Sequence, residues 1–188
     1  MDLHQPDRKR VEILAICGNT RPNSINEQVL NWIANRYSEQ LNFKLYNQIA
    51  ELPHFRPDLT GDNAPEIVKE FYELINQSDA VIICSPEYVF SLPGTIKNAL
   101  DWTVSTTVFS EKPTAIIVAS SLGEKALEAL NLIMTTLGAN VNPDCSLLIS
   151  SIKTNIDSEG NMRNERVIEQ IDLLIETLVQ KFKIRKNC

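Results

Sequence analysis

Ala80-Val81-Ile82-Ile83-Cys84-Ser85-Pro86-Glu87-Tyr88-Val89-Phe90-Ser91-Leu92-Pro93-Gly94-Thr95-Ile96-Lys97-Asn98-Ala99-Leu100-Asp101-Trp102 is the stretch whose reading decides the fold. Ala80 to Cys84 is an unbroken apolar run rich in β-branched residues, the pattern of a strand buried on both faces. Pro93 suits the first turn of a helix, where a missing N–H costs nothing. Ile96, Ala99, Leu100 and Thr103 then recur every three or four residues, the inward stripe of a helix over Gly94–Ser105. A strand ends, irregular backbone follows, and a helix begins. In an open parallel sheet, ligands bind beyond such strand ends.

The same alternation extends in both directions. Val11–Ile16 reads as the first strand, and Gly18–Asn23 as a loop. A helix over Ser24–Glu39 follows, with Val29, Leu30, Ile33 and Tyr37 inward. Phe43–Tyr46 is a short strand, and Asn47–Ala64 a long irregular segment of the kind that is functional or flexible. Pro65–Asn76 is helical, Thr114–Ala119 is another buried strand, and Glu124–Leu137 is a helix stopped by Gly138. Val141–Ile149 reads as a last strand, interrupted by Pro143 and Asp144 in the manner of an edge. Asp157–Met162 is a turn, and Val167–Phe182 an amphipathic closing helix. Five strands alternating with five helices predict one doubly wound α/β domain over residues 1–188, a three-layer sandwich around a five-stranded parallel sheet. Its expected strand order, 2-1-3-4-5, puts the switch point between the first and third strands.

Composition narrows the function. The chain is 43% hydrophobic and 22% charged, with a formal net charge of -6. That charge argues against a nucleic-acid surface, which needs a basic patch. Arg8-Lys9-Arg10 and Lys181–Lys186, the only basic clusters, read as solvated ends. No stretch approaches the ~20 apolar residues of a membrane span, and Met1–Arg10 lacks a signal-peptide core, so a cytoplasmic location is expected. The four cysteines have no metal or dithiol spacing. Cys17 and Cys84 end two strands and are either two core cysteines or a thiol pair. His4 falls in a tail, and His54 in the long loop, at a rim or in solvent.

Three loops follow strand carboxyl ends and therefore converge on one edge of a parallel sheet. Gly18–Ser24 has free N–H groups at a helix start, side-chain donors in Asn19, Thr20 and Ser24, and a permanent charge in Arg21. It reads as an anion cradle. A capping box between Ser24 and Glu27 is the alternative, and Arg21 tips the reading towards phosphate. Pro86–Pro93 has one carboxylate, Glu87, which in isolation reads as solvated. The loop also offers flat surfaces in Tyr88 and Phe90, so it either cradles a planar heterocycle or packs on its own aromatics. Ser120–Gly123 adds donors. No acid–base pair and no catalytic side chain stands out.

Gly18-x-x-Arg21-x-x-Ser24-x-Asn26, with Pro86-Glu87-Tyr88-x-x-Ser91-x-Pro93-Gly94-x-x-Lys97-Asn98-x-x-Asp101-Trp102, resembles the flavodoxin-like NAD(P)H-dependent FMN reductases, which reduce flavins, quinones, azo dyes or chromate. The resemblance runs over nearly the whole chain. It implies FMN as cofactor, NADPH or NADH as electron donor, a small-molecule acceptor, and a homodimer or homotetramer. It assigns the FMN phosphate to Arg21 and Ser24 with Asn19 and Asn26. The ring and ribityl chain fall to Pro86, Glu87, Tyr88, Val89 and Phe90, and the far side to Ser120, Ser121 and Gly123. Lys97, Asn98, Asp101 and Trp102 would position the second loop, near a dimer contact in relatives. Phe90, Trp102 and Phe109 are expected at the site edge, where a second subunit would cover them.

Asn19 stands where the family usually has Ser. Val89-Phe90 replaces Asn-Gly or Asn-His, and Gly123 is alone where relatives carry two or three glycines. The first reading is a flavin-dependent reductase. The rivals are an FMN-binding electron carrier that ignores nicotinamide nucleotides, and a non-catalytic module that has lost its cofactor.

Overall fold

The strand at the centre of the molecule, β3 (Ala80–Ser85), is buried at every position. Its neighbours are β1 (Val11–Cys17) and β4 (Thr114–Ala119), flanked by β2 (Leu41–Tyr46) and β5 (Ser146–Ile149). All four ladders are parallel, and the order is β2-β1-β3-β4-β5. The expected topology and switch point are therefore present. The computed structural model describes residues 10–187, with side chains to residue 184. His4, Arg8, Lys9, Arg185, Lys186 and the fourth cysteine, Cys188, lie outside what is described in side-chain detail.

Two apolar layers seal the sheet. On one face α1 (Ile25–Arg36) and α6 (Glu165–Asn187) bury Val29, Leu30, Ile33, Ile171 and Leu174. On the other, α2 (Glu66–Gln77), α3 (Gly94–Trp102) and α4 (Glu124–Thr136) bury Phe71, Ile75, Ile96, Leu130 and Met134. The predicted stripe Ile96, Ala99, Leu100 and Thr103 is wholly buried.

Four expectations need correction. Val141–Ile149 is not one strand: Pro143–Cys145 forms a 3-10 turn started by Asn142, whose Oδ1 accepts from Asp144 N, and β5 begins only at Ser146. A short helix, α5 (Ile152–Asn155), follows β5 where no helical period is legible. Ser24 caps α1 rather than lying in it, and the helix gives way at Tyr37. Trp102 and Phe109 are not at the site edge, being 0% and 2% exposed in the core beneath α3. Trp102 Nε1–H donates to Pro53 O at 2.7 Å, and the Asn98 amide brackets the same loop, donating to Pro53 O and accepting from Phe55 N. These residues pin the long loop after β2.

Candidate functional site

The carboxyl ends of β1 and β3 meet at an approach only glycine permits. Gly18 N donates to Cys84 O at 2.8 Å, and a Cβ on Gly18 would stand 2.6 Å from Ser85 Oγ and 3.2 Å from Ser85 Cα. The first loop is then knitted from within. Asn19 Oδ1 accepts from Arg21 N, and Asn19 Nδ2 donates to Asn26 Oδ1. Asn26, itself buried, donates to Ala119 O at 3.0 Å and so ties α1 to the end of β4. Both asparagines are engaged as scaffolding, and the Arg21 guanidinium is left without a hydrogen bond or ion pair among the described residues.

The capping alternative for Ser24 is present alongside. Ser24 Oγ accepts from Glu27 N at 3.2 Å, while the Glu27 carboxylate reaches back to Asn23 N. Ser24 O takes Gln28 N. The N–H groups of Ile25 and Asn26 have no acceptor among the described residues, and they lie in the first turn, where the helix dipole favours an anion.

The second loop is a tight turn: Tyr88 and Ser91 exchange both backbone hydrogen bonds, at 2.9 and 3.0 Å. Its two central residues, Val89 and Phe90, have φ of 52° and 55°, the left-handed region that a β-branched residue strongly disfavours. Their N–H groups have no partner among the described residues, and Val89 and Phe90 are 95% and 70% exposed. The Glu87 carboxylate is half-buried and engaged. It accepts from the N–H groups of Lys125 and Ala126, capping α4, whose N-cap residue Gly123 has no side chain to do so.

A pocket of ≈310 Å³ opens between these loops, lined by Asn19, Arg21, Ser24 and Asn26 from the first, Pro86 and Tyr88 from the second, and Ser120 and Ser121 from the third. Ile152 and Lys153 complete it, two residues that sequence reasoning missed because α5 is too short to show a period. Of the residues singled out from sequence, Glu87, Val89, Phe90 and Gly123 do not line the pocket. Gly123 instead turns the chain at φ 125°, where a Cβ would strike Leu148 and Val118. Two other depressions, of ≈220 and ≈530 Å³, lie against α2, the smaller beside β1 and the larger beside β2, and take no residue from the three loops. The larger carries Glu66, Glu70 and Glu73 against Lys44 and Lys69, and so lacks the net positive charge that an anion needs.

Cys17 and Cys84 are register partners beneath this site. Burial pushes both thiols up, and Glu27 adds to the effect at Cys17 as Cys17 does at Cys84. Thiols so held are poor nucleophiles, so the core reading of the pair stands.

The sequence profile of the NADPH-dependent FMN reductases matches residues 11–154, from β1 to α5. The chain belongs to this family. A similar curated protein is subunit 2 of an NADH-dependent flavin reductase from Lactobacillus johnsonii, 30% identical, with 90% of this chain and 96% of that protein covered. A 2-hydroxy-1,4-benzoquinone reductase from a Burkholderia species is 28% identical over 92% of this chain and 94% of its own. Among solved structures, the flavoenzyme NAD(P)H:(acceptor) oxidoreductase FerB of Paracoccus denitrificans superposes with a TM-score of 0.78 at 27% identity. The aligned part covers 92% of this chain and 97% of that one. As an FMN reductase, the chain is an NAD(P)H-dependent oxidoreductase with FMN as cofactor. The donor set at the strand ends fits that cofactor: an unpaired guanidinium and free helix N–H groups suit a phosphate, and unpaired loop N–H groups beside Tyr88 suit a polar-edged ring.

Proposed function

We propose that this pocket holds FMN and that the protein passes electrons from NADPH or NADH to a small planar acceptor: a quinone, an azo compound or a free flavin. Arg21, Ser24 and the first turn of α1 bind the phosphate. Asn19 and Asn26 hold that loop in shape. Pro86 and Tyr88 bind the ring and ribityl chain, the unpaired backbone N–H groups of Val89 and Phe90 reach the ring edge from outside the pocket lining, and Ser120 and Ser121 line the opposite wall. Glu87 and Gly123 act at one remove by fixing α4 against the second loop. The chemistry supplied when FMN is bound is two-electron transfer, with hydride entering from the nicotinamide and electrons leaving to the acceptor. The protein contributes binding, orientation and exclusion of water, which is why no acid–base pair is needed at the pocket.

The observation that carries this reading is the convergence of three strand-end loops on a single pocket lined by two cations and no carboxylate, in a chain of net charge -6. A volume of ≈310 Å³ sits at the lower end of the ~300–1,000 Å³ typical of small-molecule sites. The acceptor class is supported by the quinone and flavin reductases among the relatives.

Tyr88, Val89, Phe90 and Leu122 form exposed apolar surface beside the site. A second copy of the chain covering it would give the homodimer or homotetramer that the resemblance implies, and light scattering decides between them and a monomer. We assign the chain one domain working in the cytoplasm. No described helix is long and apolar enough to cross a membrane.

The test is the visible spectrum of the protein as purified and after adding FMN, followed by NAD(P)H oxidation with a quinone. Flavin absorbance and quinone-dependent turnover are expected. A colourless protein that takes up no FMN overturns the assignment of the pocket.

A further inference from the structure

We propose that Lys153 is a second phosphate-binding cation, placed across the pocket from the first loop to match the dianionic charge of the FMN phosphate. The inference rests on the reading of the pocket as the FMN site and goes beyond the residues that the motifs pick out.

Two cations, Arg21 and Lys153, line the pocket, from segments far apart in sequence, and no carboxylate lines it. Lys153 makes no hydrogen bond or ion pair among the described residues, although acidic residues outnumber basic ones in this chain by 24 to 18. An exposed, unpaired lysine at the lining of a pocket without carboxylates is free to bind a ligand without first losing a partner.

Its backbone is held for the purpose. Ile152 N donates to Ser120 O and Ser151 N to Ser121 O, so α5 is fastened to the third loop. Asn155 Nδ2 reaches back to Ser150 O and Ser151 O, and its Oδ1 accepts from Asn164 Nδ2. Ser151 sits at φ 50° to make the turn into α5. These bonds consume the N–H groups of Ser151 and Ile152 and fix the backbone that carries Lys153 at the pocket lining.

The charge balance gives the lysine its role. A phosphate monoester carries a charge of about −1.5 to −2 near neutrality, with a second pKa of about 6. Arg21 compensates one unit, and Lys153 supplies the other as a charge-assisted contact.

The experiment titrates apoprotein with FMN and with riboflavin, which shares the ring but lacks the phosphate, using wild type, Lys153→Gln, Lys153→Arg and Arg21→Gln. At about pH 7.5, Lys153→Gln weakens FMN binding by about three- to tenfold, the scale of one ordinary hydrogen bond, as befits an exposed lysine. Riboflavin affinity stays level, and Lys153→Arg restores most of the loss. Below about pH 5.5, where the phosphate is largely a monoanion, the gap between wild type and Lys153→Gln narrows. If Arg21→Gln loses FMN while Lys153→Gln stays within about twofold of wild type, the lysine proposal fails and the pocket assignment stands. Equal loss of riboflavin in Lys153→Gln also overturns it, since the lysine then acts on the fold. If wild type does not distinguish FMN from riboflavin and Arg21→Gln is silent, the pocket assignment itself falls.

Discussion

Glu87 Oε2 accepts a hydrogen bond from the main-chain N–H of Ala126 at 3.0 Å, so a residue of the second loop caps a helix that starts beyond the third. The contact fastens two walls of the pocket to each other. It gives a partly exposed Glu87 a structural role that the sequence did not show.

Replacing Glu87 by Ala removes both bonds to α4 and should cost about 1–2 kcal/mol, the scale of a lost helix cap. FMN affinity should fall with it. The Glu87→Gln variant keeps an acceptor and should lose less in both respects. Urea unfolding and an FMN titration check this; unchanged stability in Glu87→Ala would mean that the cap contributes nothing.

Val89 is strained and almost fully exposed, so its side chain has little packing to lose. Asn tolerates the left-handed region, and Val89→Asn should stabilise the fold by about 1 kcal/mol. If the valine also limits FMN binding, affinity rises in the same variant. A fall in melting temperature would contradict the strain argument, and unchanged FMN affinity would free Val89 of blame.

At Gly18, adding a methyl group pushes against Ser85 side chain and backbone together. Gly18→Ala should cost about 1–3 kcal/mol, as overpacking does. It should also weaken FMN binding, because the β1 and β3 loops must part. Combining it with Ser85→Gly removes the Oγ and Cβ contacts and should recover part of the loss, whereas Ser85→Ala, which keeps the Cβ, should recover less.

Away from the site, Asp172 on α6 accepts from Arg36 on α1 at 2.9 Å and from the Tyr37 hydroxyl. The Arg36 guanidinium, with help from Tyr37, holds the Asp172 carboxyl below its usual range. A carboxylate so depressed adds stability above its unfolded pKa of about 3.9, and that stability is lost as pH falls through the lower folded value. Partial exposure keeps the contribution modest. The stability gap between wild type and Asp172→Asn should therefore be full at neutral pH and shrink in acid below about pH 4. A gap that does not depend on pH would assign the effect to shape rather than charge.

Much of this was legible in order along the chain. Ala80–Cys84 and Thr114–Ala119 announce buried strands, the spacing of Ile96 to Thr103 announces the buried face of α3, and the motif around Arg21 and Ser24 announces an anion loop. The sequence misleads where short-range signals compete. Val141 and Leu147–Ile149 look like one strand because apolar content survives across Pro143. Trp102 looks exposed only if the loop that covers it, held by its own indole N–H, is left out. Lys153 is invisible because nothing local marks it.

The sequence by itself determined the alternation of strands and helices, the three loops at the strand ends, and the family. These depend on periodicity and on neighbours within a few residues. The strand order is expected from sequence only as the common solution for five strands, and the sheet itself supplied it. The tertiary structure alone decided that Asn26 reaches Ala119, 93 residues on, that Glu87 caps α4 38 residues on, and that Lys153 faces the same pocket as Arg21. Such pairings carry no local signature, because a side chain meets a distant partner only after the sheet has brought the two strand ends together.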